Sequence, residues 1–122
     1  MDAEHRHIGD VAEETALSLR TLRHYDEIGL IVPSARTEGG FRLYTDEDVA
    51  RIMVVRRMKP LGYSLEEMRE VLGVLDRLAA DAADGTARTR LDEIRTEATE
   101  RKAQLETKVG MADEFLRQLD AI

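Results

Sequence analysis

The chain has 122 residues, of which 43 % are hydrophobic, a formal net charge of −7 and no cysteine. That length fits one small domain with a helical extension, and the acidic balance excludes a generic nucleic-acid coat, which needs a basic surface. Disulfides, thiolate metal sites and thiol redox sensing are excluded too, and no signal peptide or apolar run of the ~20 residues that span a bilayer is present, so we expect a cytoplasmic protein with no membrane partner.

The first helix is expected after Gly9, over Asp10–Thr15, burying Ile8, Val11 and Ala12. Ser18 then precedes Leu19 as an N-cap, its hydroxyl able to accept from the free N–H groups of a second helix. That helix runs to about Ile28, and Gly29 supplies the left-handed residue that ends many helices. Leu19 and Leu22 are expected to point inward. Arg20, Arg23, His24 and Glu27 recur at i, i+3, i+4 and i+7 and share the outward face. Two short helices joined by a tight turn are a common device for aiming the second at a DNA major groove.

Pro33 and Thr37-Glu38-Gly39-Gly40 are turn signals between extended pieces near 31–35 and 41–44, which predicts a two-stranded hairpin that must lean on the helices. Thr45 caps a third helix that opens with three acids, where the helix dipole favours them, and whose apolar set is Val49, Ile52, Met53, Val55 and Leu61. Pro60 should end it near Lys59. Ser64-Leu65-Glu66-Glu67 is a capping box opening a fourth helix to about Ala80, with an apolar stripe of Leu65, Met68, Val71, Leu72, Leu75 and Leu78. After a polar break over 81–86, residues 87–122 read as one long helix. Its stripe, Leu91, Ile94, Ala98, Leu105, Val109, Ala112, Leu116 and Leu119, is interrupted at Arg101 and stutters between 105 and 109. A helix with such a stripe and no partner in its own chain is expected to pair with a second copy.

Charge is uneven along these elements. Residues 18–59 hold eight Lys/Arg against six Asp/Glu, a local +2 on an acidic chain. Arg20 and Arg23 can grip phosphates or guanine edges bidentately; a solvated face paired with Asp26 or Glu27 is the bland reading. Tyr25 can offer its hydroxyl to phosphate or serve as a core aromatic. Arg56 and Arg57 are either further phosphate contacts or a solvated helix face. His5 and His7 form an i, i+2 pair without a third ligand, a poor metal site, so no metal or cofactor is expected.

The segments LSLRTLRHYDEIGL, RTEGGFRLYTDEDV and LGYSLEEMREVL, in this order from Ile8 to about Leu75, resemble the MerR family of bacterial transcriptional regulators. The resemblance implies a mainly α protein, with a winged helix-turn-helix DNA-binding domain over 1–80, a linker over 81–86 and a dimerisation helix over 87–122 that forms an antiparallel coiled coil. Within the domain the helix-turn-helix covers 8–29, the wing 31–44 and a second helix pair 45–80. It implies a DNA-binding set of Ser18, Arg20, Thr21, Arg23, His24, Tyr25, Arg36, Phe41, Arg42 and Arg56, in which the wing arginines Arg36 and Arg42 fix position on backbone phosphate. His24 stands where the family commonly has Tyr or Phe, so sequence preference can diverge, and an imidazole there can titrate near neutrality.

The resemblance further implies a homodimer on pseudo-palindromic promoter DNA, which it bends and untwists for RNA polymerase on the bacterial nucleoid. Metal-sensing members use cysteines at the ends of the dimerisation helix, which this chain lacks, and with the sequence ending at Ile122 no ligand-binding domain is expected. An architectural or excisionase-like DNA-bending protein is the competing reading, disfavoured by the long helix. A coiled-coil adaptor would leave the groove-facing arginines idle. No Ser/His/Asp arrangement, phosphate-binding Gly-rich loop or metal triad suggests an enzyme.

Overall fold

The computed structural model describes residues 5–122. In chain order these form β1 (Arg6–His7), α1 (Ile8–Thr15), α2 (Leu19–Glu27), β2 (Ala35–Arg36), β3 (Arg42–Tyr44), α3 (Asp46–Met58), a 3₁₀ turn (Lys59–Leu61), α4 (Leu65–Ala80) and α5 (Gly85–Asp120). They fall into two compact units that divide after Leu72, within α4.

In the first unit the helices begin where side chains can satisfy their free N–H groups. Ser18 Oγ accepts from Thr21 N at 3.0 Å. Thr45 Oγ1 accepts from Asp48 N at 3.1 Å while Asp48 Oδ2 accepts from Thr45 N at 3.0 Å, a reciprocal box. Ser64 and Glu67 form the second such box, at 2.9 and 3.1 Å. The α2 helix ends as expected, with Gly29 at φ +72. The turn between α1 and α2 depends on Ala16, a non-glycine residue at φ +59. Below it the buried Thr15 hydroxyl donates back to the Val11 carbonyl at 2.7 Å, which removes its desolvation penalty.

The sheet is larger than the expected hairpin. Its strand order is β1-β3-β2, all antiparallel, with Arg6 opposite Tyr44, His7 opposite Leu43, Ala35 opposite Leu43 and Arg36 opposite Arg42. The extra strand β1 leads directly into α1, which starts at Ile8, two residues before the expected Asp10. Arg6 anchors this strand through ion pairs to Glu14 at 3.1 Å and Asp46 at 2.6 Å. The core beneath comprises Val11, Leu22, Tyr25, Leu30, Ile31, Tyr44, Val49, Ile52, Val55, Met58, Met68, Val71 and Leu72.

Several packing expectations need correction: Ile8 and Ala12 are half-buried, and Leu65, in the expected α4 stripe, is 39 % exposed. Leu19 does not point inward; it is 39 % exposed at the first turn of α2. In α3 the buried methionine is Met58, while Met53 and Leu61 are half-buried.

In the second unit Asp84 caps α5, accepting from Ala87 N at 3.0 Å and from the Arg77 guanidinium at 3.1 and 3.2 Å. The cap starts α5 at Gly85, two residues before the expected 87, and shortens the break to 81–84. The helix runs unbroken through Gly110 for 36 residues, about 54 Å at 1.5 Å per residue. Its expected stripe is not uniform. Ile94 is buried within the single chain and Leu91 and Ala98 are half-buried, whereas Leu105, Val109, Ala112, Leu116 and Leu119 are exposed. Met111 and Phe115, outside that stripe, are exposed as well. Among the described residues no helix is long and apolar enough to cross a membrane.

Candidate nucleic-acid interface

The register of α2 is set by Leu22 and Tyr25, both buried. With those two inward, the helical period turns Arg20, Arg23 and His24 out to solvent. They line one shallow concavity of about 550 Å³ together with Thr21, Tyr25, Glu27 and Lys59. Five of the expected DNA-facing residues (Arg20, Thr21, Arg23, His24 and Tyr25) thus share one surface. Three full cations face one carboxylate there, so the floor of the concavity is positive.

Lys59 was not among the expected contacts. It follows α3, on the 3₁₀ turn that Pro60 imposes, and that turn carries its side chain to the recognition face of α2. The basic cluster Arg56-Arg57-Lys59 was the available signal, but helical spacing alone could not tell which of its members faces α2. Arg56 is exposed on the last turn of α3 and does not line the concavity.

Two other expected residues have structural work. Tyr25 is 6 % exposed, so it is chiefly a core aromatic that contributes one edge to the concavity. Burial raises its phenol pKa, so the ring stays neutral. Ser18 caps α2, and its hydroxyl also donates to Thr21 Oγ1 at 2.9 Å, which ties both side chains to the helix start.

The wing is built on a tight turn. Gly40, at φ +85, closes it by donating to the Thr37 carbonyl at 2.9 Å, a conformation that costs little only for glycine. Phe41 follows, 70 % exposed. The strand register then sets Arg36 directly across from Arg42, a like-charge pair that would destabilise the ribbon alone. Asp26 of α2 resolves it. Its Oδ2 accepts from Arg36 NH2 and from Arg42 Nε, both at 2.7 Å. Burial acts to raise the Asp26 pKa, but the hydrogen bonds and charges of Arg42 and Arg36 outweigh it and hold the carboxyl below its ordinary value. Asp26 is therefore not the counter-ion of Arg20 or Arg23; it serves the wing.

The base of the wing is fixed in a similar way. Asp48, 6 % exposed, accepts from Ser34 N at 2.9 Å and Ser34 Oγ at 2.8 Å as well as from Thr45 N. From α4, Arg69 donates to the carbonyl of Ile28, where a cation complements the C-terminal end of α2. Both ends of the recognition helix, and both ends of the wing, are thereby held by named polar contacts. His5 and His7 line a separate small cavity with Thr37 and Leu43, and among the described residues no group of three potential metal ligands occurs.

Comparison with known proteins agrees with this architecture. Residues 6–74 match the family described as "MerR HTH family regulatory protein", and residues 49–122 match "MerR, DNA binding". The chain is 34 % identical over 113 residues to the Heavy metal-dependent transcription regulator 2 of Rhizobium meliloti, covering 92 % of this chain and 70 % of that one. It is 39 % identical over 77 residues to the Mercuric resistance operon regulatory protein of Bacillus cereus, covering 63 % of this chain and 58 % of the relative. Among solved structures, the N-terminal part of the Bacillus subtilis multidrug transporter activator MtaN superposes with a TM-score of 0.62 at 31 % identity, covering 94 % of both chains. The recognition helix, its wing and the long C-terminal helix make this chain a member of the MerR family of DNA-binding transcriptional regulators.

Proposed function

We propose that the protein acts in the cytoplasm as a homodimer that reads a pseudo-palindromic promoter site, one half-site per recognition helix. The observation that carries this reading is the positive concavity of Arg20, Arg23, His24 and Lys59 on α2 and its neighbouring turn. Arg23 and Arg20 face base edges, and Lys59 and Arg42 of the wing take backbone phosphates, which position the protein without specifying sequence. The domain through α4 is the reader. The exposed apolar residues of α5 from Leu105 to Leu119 support pairing with a second copy.

Bending and untwisting of promoter DNA, to bring its elements into register for RNA polymerase, is the mechanism this family reading suggests. Such deformation costs on the order of 1–6 kcal/mol over one site, which phosphate contacts from two wings and two helices are suited to offset.

The test is a gel-shift comparison on a duplex selected by the wild-type protein from a randomised library. Arg23→Ala should abolish preference for the selected duplex, while Arg42→Ala should weaken binding to all duplexes alike. Unchanged affinity of both variants would sink the assignment of these residues, and a sedimentation mass of one chain in the bound complex would remove the homodimer.

A further inference from the structure

The two wing arginines do not stand in equivalent positions, and Asp26 makes the difference. Arg36 is engaged at both terminal nitrogens, NH2 to Asp26 Oδ2 at 2.7 Å and NH1 to the Gly40 carbonyl at 3.4 Å. Arg42 meets the same carboxylate oxygen only through Nε, at 2.7 Å. Its two terminal nitrogens have no hydrogen-bond partner among the described residues, so the difference lies in which nitrogens are engaged and not in exposure, which is 23 % for Arg42 and 44 % for Arg36. A guanidinium held by its Nε edge presents its terminal nitrogens as a fork, the shape that grips a phosphate bidentately.

From this geometry we infer that Asp26 is a positioning residue for DNA binding: it withholds Arg36 from the phosphate backbone and orients Arg42 toward it. The inference rests on the DNA-reading role proposed above. The wing then delivers one directed phosphate contact instead of two loose ones. Affinity for arbitrary DNA is kept down, and the wing is locked to the same helix that carries Arg20 and Arg23. Asp26 neutralises the like-charge pair of Arg36 and Arg42, and since a carboxylate in a DNA-facing surface opposes non-specific binding, its further effect falls on register and selectivity.

The experiment measures binding of the full chain to a mixed-sequence duplex across a salt series, by fluorescence anisotropy. Each phosphate contact contributes a slope of about −0.9 in log K against log salt. Asp26→Asn should free Arg36, steepen the slope by about 0.9 per protomer and tighten non-specific binding about 8-fold per protomer at 0.1 M salt. Adding Arg36→Gln should cancel that gain, and the preference for a library-selected duplex should fall in Asp26→Asn. A merely structural role would weaken selected and mixed duplexes together with no change in slope, and that result would overturn the inference. Should Asp26→Asn not fold, the single variants decide: Arg42→Gln should flatten the slope by about 0.9 per protomer and Arg36→Gln by less than half as much, and equal losses would overturn it. Failure of the wild-type protein to bind any duplex would instead refute the DNA-reading role itself.

Discussion

Asp48 offers the sharpest test of how the wing is held. One ionised carboxylate accepts three hydrogen bonds there: Ser34 N and Thr45 N on Oδ2, and Ser34 Oγ on Oδ1. Asp48→Ala strips all three. The Thr45 contact is one half of a capping box, worth about 1 kcal/mol. The Ser34 pair is partly buried, and hydrogen bonds to a charged group contribute about 1.5–3 kcal/mol each before water replaces some of the loss. Together the alanine variant should lose about 3 kcal/mol.

Asp48→Asn discriminates, because an amide can reproduce the geometry. Its carbonyl oxygen can take the Oδ2 place and accept from both backbone N–H groups. Its NH₂ then takes the Oδ1 place and donates to the Ser34 hydroxyl, which rotates to accept. Only the charge is lost, together with its attraction to the N-terminal end of α3, about 1 kcal/mol in all. Urea titrations followed by circular dichroism should therefore separate the two variants by about 2 kcal/mol, roughly thirtyfold in the folding constant. Equal losses for Asn and Ala would show that the hydrogen-bond geometry contributes nothing and that the wing base is held by packing alone.

Three further outcomes can be checked. Lys59→Ala should weaken binding to selected and mixed duplexes alike and flatten the salt slope by about 0.9 per protomer if this concavity-lining lysine, as proposed, takes a phosphate; a loss confined to the selected duplex would make it a base contact. Tyr44 is fully buried, and its hydroxyl has no hydrogen-bond partner among the described residues. Tyr44→Phe should leave stability unchanged or raise it by up to about 1 kcal/mol in urea titration, because it removes an unsatisfied polar group while keeping the ring. Asp26, with its pKa lowered in the fold, contributes stability above the ordinary carboxyl value of 3.8 that is lost as pH falls through its folded value. Thermal melts across that acid range should therefore fall less steeply for Asp26→Asn than for the wild type, with no difference in slope near neutrality.

The features legible in the sequence are those set by short-range forces. Ser18, Thr45 and Ser64 could be read as caps, and Gly29 as a helix end, because each acts on backbone groups within four residues of itself. The outward face of α2 was legible from its period alone. Strand β1 was not: two residues are too few to show alternation, and its partner lies at Leu43 and Tyr44. Leu19 misled because hydrophobicity alone does not bury a residue in the first turn of a helix, where neighbours exist on one side only. Met58 and not Met53 is buried because it continues the i, i+3 series Val49, Ile52, Val55 along the inward face of α3, whereas Met53, one residue past Ile52, is turned away from it. Asp26 was read as a possible partner of its own helix face, whereas its partners stand 10 and 16 residues away on another element. No local pattern carries such a pairing.

The charge of the chain shows the same division between count and arrangement. Through Leu72 the sequence holds ten Lys/Arg against fourteen Asp/Glu, a balance that alone argues against binding a polyanion. Yet several acids of this unit have local partners. Asp48 holds Ser34 and the start of α3, Asp46 and Glu14 pair with Arg6, Glu67 closes the α4 capping box, and Asp26 serves the wing. Each is tied to a fixed donor away from the recognition groove or, for Asp26, beneath the wing. Arg20, Arg23 and Lys59 line the concavity with only Glu27 to oppose them. Salt screens charges beyond a Debye length of about 10 Å at 0.1 M, so a phosphate on that surface responds chiefly to the cations that line it. An acidic protein can thus present a basic reading face, and its overall negative charge then works against binding anywhere else along the surface.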